Sequence, residues 1–190
     1  MRTKAQYIKG LAKMKRNVYF DGGLIDRTDE LQMNCINTIG TTFDEAAKPK
    51  NRDLCTAISH LTGERISRFT HIHQNTEDLH KKQDMTRMLC QKVSGCIQRC
   101  MGIDATNAIY NVSYEADKAN KGSTQYHENF KKWLRRFQTE DLVGCCAQTD
   151  VKGDRLLRPA DQPNPDAYVR IKEKRSDGII VSGCKLHISE

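Results

Sequence analysis

Long apolar runs are missing from this 190-residue sequence. None approaches the roughly 20 residues that a membrane-spanning helix needs, so no membrane association is expected. The opening MRTKAQYIKGLAKMKR is basic but has no apolar stretch and no small-residue cleavage site. That excludes a secretory leader, and a cytoplasmic protein is expected. Aromatic residues are scarce, 6% with a single Trp, and apolar residues are 37%, enough for a lean core. There is no Gly-x-Gly-x-x-Gly fingerprint, no phosphate-binding P-loop and no Gly-x-Ser-x-Gly elbow, which removes the common dinucleotide, nucleotide and serine-hydrolase readings. No arginine-rich tract or nucleic-acid module is present either. The net charge of +7, from 31 basic and 24 acidic residues, therefore does not select nucleic acid. A phosphate-bearing ligand such as a dinucleotide or a coenzyme A ester suits it as well.

Cysteine is the residue present in excess, with eight: Cys35, Cys55, Cys90, Cys96, Cys100, Cys145, Cys146 and Cys184. In a reducing compartment these are core thiols, metal ligands or reactive groups rather than a disulfide framework.

Helical periodicity dominates the first three quarters. Tyr7, Leu11 and Met14 share a helical face behind a Thr3 cap. NVYFDGGLID reads as a hairpin over 18–25 turning at Asp21-Gly22. A helix is expected over 29–47, closed by Pro49, and a short one over 53–61. Asn75 or Thr76 caps a helix that runs to about Val93. After a break at Ser94-Gly95, another helix is expected from Cys96 to about Lys118. A last one, 125–140, places Phe130, Trp133, Leu134 and Phe137 on one face. Beyond Glu140 the pattern changes to strands: 142–148, 168–174 and 179–188, with a proline-bearing loop between the first two. The expected fold class is α+β, with an α-helical domain over 1–140 and the start of an antiparallel β domain over 141–190. Three strands make a sheet with exposed edges and an uncovered face, so the chain reads as the front of a longer protein.

Two stretches carry chemistry. In QKVSGCIQRC, Cys96 and Cys100 stand four apart, on one face if the segment is helical. They are either two core thiols or half of a metal site, and spacing alone favours core thiols. Gly95 and Gly102 would leave room for a bulky ligand, and Lys92 and Arg99 would favour thiolate. The second stretch, Thr149-Asp150-Val151-Lys152-Gly153-Asp154-Arg155, combines carboxylates, cations and a glycine. It suits a pyrophosphate or a flavin edge, or it is a solvated turn. His71 and His73, two apart, read as ordinary polar surface before they read as a zinc pair.

RFTHIHQNTEDLHKKQDMTRMLCQK, CIQRCMGIDATNAIY, TDVKGDR and DGIIVSGCKLH, in that order, resemble the N-terminal part of the 4-hydroxybutyryl-CoA dehydratases (vinylacetyl-CoA delta-isomerases). These group with the two-component 4-hydroxyphenylacetate 3-hydroxylases. The resemblance covers nearly the whole chain, and Cys-x-x-x-Cys followed by Met-Gly-Ile-Asp-Ala is its most specific part. It implies an acyl-CoA dehydrogenase-like fold, incomplete here, and FAD with a [4Fe–4S] cluster. It makes Cys96 and Cys100 cluster ligands. It makes Gln148, Thr149, Asp150, Val151, Lys152, Gly153, Asp154 and Arg155, with His187, the lining of the flavin and CoA-ester site. Arg87 is implied in the substrate pocket. The implied partners are a coenzyme A thioester substrate and, for the full-length protein, further copies of itself.

The implied reaction takes a C2 proton, moves one electron from the enolate to the flavin, and thereby makes the C3 hydrogen removable. The remaining cluster ligands, a histidine and a cysteine, and the catalytic base are expected beyond residue 190. Val151 stands where the family pattern has proline, and Cys145 and Cys146 stand where smaller or non-thiol residues are expected. Two rival readings are a cluster-free flavin-dependent aromatic hydroxylase and a non-enzymatic helical domain with core cysteines.

Overall fold

The computed structural model describes residues 1–188. They form two compact units, Met1–Cys145 and the segment from Cys146 onward. The first unit carries the helices α1 (Lys4–Lys13), α2 (Met33–Ala47), α3 (Arg52–Cys55), α4 (Thr76–Cys90), α5 (Ala105–Ala119) and α6 (Tyr126–Thr139). It also holds two small antiparallel hairpins, β1 (Val18–Phe20) with β2 (Gly23–Ile25), and β3 (Thr56–Ile58) with β4 (Arg65–Ser67). The second unit is built on one hairpin, β5 (Arg170–Arg175) with β6 (Gly178–Ser182). The α+β class expected from the pattern is what the residues form. No helix among those described is long and apolar enough to cross a membrane.

Local chemistry explains the helix starts. Thr3 Oγ1 accepts from Gln6 N at 3.1 Å while Gln6 Oε1 accepts from Thr3 N at 2.9 Å, a reciprocal cap for α1. That cap lets Tyr7 pack on Ile36, Ile39 and Phe43 of α2. Asn75 accepts from Asp78 N at 2.9 Å and starts α4. Asp117 on α5 accepts from Tyr126 N and His127 N, at 3.0 and 2.9 Å, and so satisfies the first amides of α6 from a neighbouring helix. On α6, Leu134 and Phe137 are buried, whereas Trp133 is partly exposed and stacks on Phe130 and Phe137.

Several expectations are corrected. The segment 53–61 is one turn of helix followed by β3. The turn over 59–63 closes a hairpin with β4, and Arg68 stabilises it by donating to Asp53 O, Leu54 O and Thr56 O at 2.9, 2.8 and 2.7 Å. Residues 142–148 form no strand, because no described strand lies beside them to pair with. Of the backbone here, Thr149 and Asp150 meet the Lys185–Leu186 segment, through the Leu186 N–Thr149 O hydrogen bond and the Asp150–Lys185 bridge. The strand expected over 179–188 ends at Ser182. Helix α5 begins at Ala105 rather than Cys96.

Candidate functional site

The segment between α4 and α5 holds Cys96 and Cys100 in a loop. Helix α4 ends at Cys90, and Gly95 N returns to Cys90 O at 3.0 Å. Ser94, Gly95 and Gln98 all have positive φ, at 59°, 122° and 52°, a run no helix accommodates. Exposure then alternates: Cys96 is exposed, Ile97 buried, Gln98 half-buried, Arg99 buried, Cys100 half-buried. The segment is an irregular loop, neither helix nor strand, in which Ile97 and Arg99 are buried while Cys96 is exposed and Cys100 half-buried. One 3₁₀ turn, Cys100–Gly102, leads on toward α5.

The glycines serve the backbone. A Cβ on Gly95 would meet nothing within 4 Å, so its φ of 122° is what requires glycine. A Cβ on Gly102 would lie 2.5 Å from Phe69 O, so this glycine permits a close approach of two chain segments. The space beside Gly102 is thus filled by Phe69, whereas that beside Gly95 is open. Lys92 and Arg99 are committed elsewhere, Lys92 to Glu45 at 3.5 Å and Arg99 to Asp141 at 2.9 Å.

Helix α2 forms the back wall of this loop. Gln98 Nε2 reaches Cys35 Sγ at 3.4 Å, and Arg99 Nη1 donates to Thr42 at 3.3 Å. Ile97 joins the core of Cys55, Phe69, Met85 and Leu89. Burial pushes the Cys55 thiol up to about 11, so it is a core thiol. Cys90 is also raised, by its burial and by the charge of Cys96 beside it. Among the described residues no three His, Cys, Asp or Glu side chains converge as a metal site. Two thiols on an anchored loop, one exposed and one half-buried, are soft donors of the type that iron–sulfur clusters take.

Arg87 lies on α4 and lines a groove of about 520 Å³ with Leu79, Lys82, Gln83, Thr86 and Ile103. Lys82 was not singled out by sequence. It takes a core position on α4, in register with Met85 and Leu89, and is 2% exposed. Its Nζ donates to His71 O at 3.2 Å and Gly102 O at 2.8 Å. Burial and the nearby Arg68 push its amine down to about 7. A lysine on an apolar stripe was the available signal.

The two histidines are not polar surface. His71 is buried, and its Nε2 meets Asp78 Oδ2 at 3.0 Å. His73 is pushed down to about 4 by burial and by Lys82. Burial works against the Asp78 carboxylate, yet hydrogen bonds from Gln74, His71 and Arg68 hold it down to about 2.

The second unit brings together the two ends of the other stretch. Leu186 N donates to Thr149 O at 2.9 Å, and Lys185 Nζ meets Gln148 O at 3.1 Å and the Asp150 carboxylate. Gln148, Thr149 and Asp150 therefore sit beside His187, an exposed residue with φ of 56°. Farther along, Gln162 grips the loop: its Oε1 accepts from Asp154 N at 3.0 Å and its Nε2 donates to Asp154 O at 2.7 Å. A Cβ on Gly153 would lie 2.3 Å from that Oε1, so glycine admits the grip. Lys152 and Arg155 are exposed.

Residues 3–190 match the N-terminal region of 4-hydroxyphenylacetate 3-hydroxylase, and the chain belongs to that family. Within it, the chain is 44% identical over 187 residues to the 4-hydroxybutyryl-CoA dehydratase/vinylacetyl-CoA-Delta-isomerase of Clostridium aminobutyricum, which spans 97% of this chain and 38% of that protein. The solved oxygen-tolerant archaeal 4-hydroxybutyryl-CoA dehydratase from N. maritimus superposes with a TM-score of 0.90 at 35% identity, over 98% of this chain and 37% of that one. The oxygenase component of 4-hydroxyphenylacetate 3-monooxygenase, solved with FAD and 4-hydroxyphenylacetate, gives 0.75 at 21% identity over 98% and 38%. That last likeness is one of fold. The chain spans less than two-fifths of the length of each of these relatives.

Proposed function

We infer that this chain is the amino-terminal portion of a FAD- and [4Fe–4S]-dependent 4-hydroxybutyryl-CoA dehydratase with vinylacetyl-CoA delta-isomerase activity, cytoplasmic and homo-oligomeric when complete. The observation that carries this is the Cys96–Cys100 loop, in which Ile97 and Arg99 are buried and seat the chain while the Cys96 thiol is exposed and that of Cys100 half-buried. The 44% identity to a dehydratase/isomerase supports it. The complete fold is acyl-CoA dehydrogenase-like, with the β5–β6 hairpin as part of its central β domain.

In this reading Cys96 and Cys100 supply two thiolates to the cluster, and two ligands come from outside these residues. The base that takes the C2 proton also lies outside them. Bound together, the flavin supplies one-electron redox chemistry and the cluster Lewis acidity toward the departing hydroxyl. Residues Gln148 to Arg155 with His187 line the flavin and the thioester. There the backbone amides of the loop and the exposed Lys152 and Arg155 meet anionic groups. Arg87 presents a guanidinium in the α4 groove, suited to a phosphate or carboxylate of the CoA ester. By itself the chain is expected to be inactive.

The test uses the complete polypeptide, purified without oxygen. Cys96→Ala and Cys100→Ala should each abolish dehydration and strip iron while leaving flavin in place. Full activity in both variants would instead identify a cluster-free hydroxylase relative.

A further inference from the structure

Arg99 stands between the two cysteines in sequence, yet its side chain is buried where theirs are exposed and half-buried. The guanidinium is 5.0 Å from the ring centroid of Phe43 and 4.8 Å from that of Phe69. Nη1 donates to Thr42 Oγ1 at 3.3 Å. Nη2 donates to Asp141 Oδ1 at 2.9 Å and to Leu142 O at 3.2 Å. The other carboxylate oxygen of Asp141 accepts from Arg2 N at 3.2 Å. One side chain thus ties the cysteine loop to α2, to the segment after α6 and, through Asp141, to the start of the chain.

Stability alone does not account for this arrangement. A buried ion pair gains little over apolar residues of the same volume. What it supplies is orientation, because a planar fork stacked on two rings has one seat, unlike a flexible ammonium. Orientation matters most to residues whose donor atoms must meet a rigid inorganic group. Ile97 anchors the loop by apolar packing, which fixes depth but not rotation.

We propose that Arg99 is a positioning residue for the Cys96 and Cys100 thiolates: it sets the direction in which the loop presents them. This rests on the reading of those thiols as cluster ligands. Loss of an outer support of this kind typically weakens metal binding about 10- to 100-fold.

The experiment compares Arg99→Lys, Arg99→Met and Thr42→Val in the complete polypeptide, reconstituted with iron and sulfide without oxygen. Iron, sulfide and flavin per chain, the cluster's visible and paramagnetic spectra, and Tm are measured. Arg99→Met is expected to lose iron affinity about tenfold or more, with an altered cluster spectrum and unchanged flavin. Arg99→Lys should recover part of the iron but not the wild-type spectrum, and Thr42→Val should show a smaller shift of the same kind. Wild-type iron content and spectrum in the Arg99 variants, whatever their Tm, would overturn the proposal and leave Arg99 a core prop. If Arg99→Met does not fold, Arg99→Lys and Thr42→Val decide by the same readouts. If the wild-type protein takes up no iron, the cluster reading fails on its own. Alkylation rates of Cys96 and Cys100 then decide the positioning role: a change in Arg99→Lys supports it and unchanged rates overturn it.

Discussion

The loop bearing Cys96 and Cys100 is seated on Ile97 and Arg99, both nearly fully buried, whereas the loop from Gln148 to Arg155 is gripped chiefly by Gln162. From Cys146 onward Gln162 is the one buried side chain among the described residues. Leu156 is 94% exposed, and Ile171, Ile179 and Val181 on β5 and β6 are each at least half exposed. The helical unit carries its own core and fixes its site from within. The β unit is a hairpin of a kind that is marginal in water, so its loop takes its final form only when something covers it.

Core truncation gives the largest test of that contrast. Leu89 has no exposed surface and packs with Phe69, Met85 and Ile97 behind the cysteine loop. Leu89→Ala is expected to destabilise by about 2–5 kcal/mol, measured by urea unfolding followed through Trp133. Ile179→Ala in the β unit should fall within about 0.5 kcal/mol. Equal losses would break the comparison, since they would mean that the strand face is covered in solution.

The pH dependence of stability should also live in the helical unit. Lys82 titrates near 7 when folded and near 10.5 when unfolded. Between those values the unfolded chain binds more protons, so this group makes stability rise with pH from about 7 toward 10.5. The slope is at most about 1.4 kcal/mol per pH unit. Urea midpoints at pH 7 and pH 8.5 should therefore differ for wild type and converge for Lys82→Met. The window stays below 9 because Cys55, raised to about 11 by burial, works in the opposite direction above it. A wild-type slope that survives in Lys82→Met would move the titration to another group.

Much of the helical unit was legible in the sequence because its signals are local. Thr3 and Asn75 announce their helices by capping, Asp21-Gly22 turns the first hairpin, and Leu134 and Phe137 mark the buried face of α6. What failed depends on distant partners. The residues 56–67 form a hairpin only because Arg68 satisfies the carbonyls around it. Residues 142–148 have strand composition but no described neighbour. The cysteine pair was found by motif, but its geometry was misread as helical. The positive φ at Ser94 and Gln98 is set by the seating of Ile97 and Arg99, which no periodicity reveals.

The smallest expected effect on stability tests the other side of the contrast. Gln162 makes three hydrogen bonds to the loop, to Asp154 N, Asp154 O and Leu157 O. Gln162→Leu keeps the volume and removes all three. The loop is exposed, so water can take over the stranded amide and carbonyls, and the loss should be no more than about 1 kcal/mol. Amide exchange over 150–157 should nonetheless quicken while that of α4 and α5 stays as it was. In the complete polypeptide, flavin occupancy should fall and iron content hold. Iron and flavin falling together would show that the two loops share one support, and the division between a self-seated and a covered site would not stand.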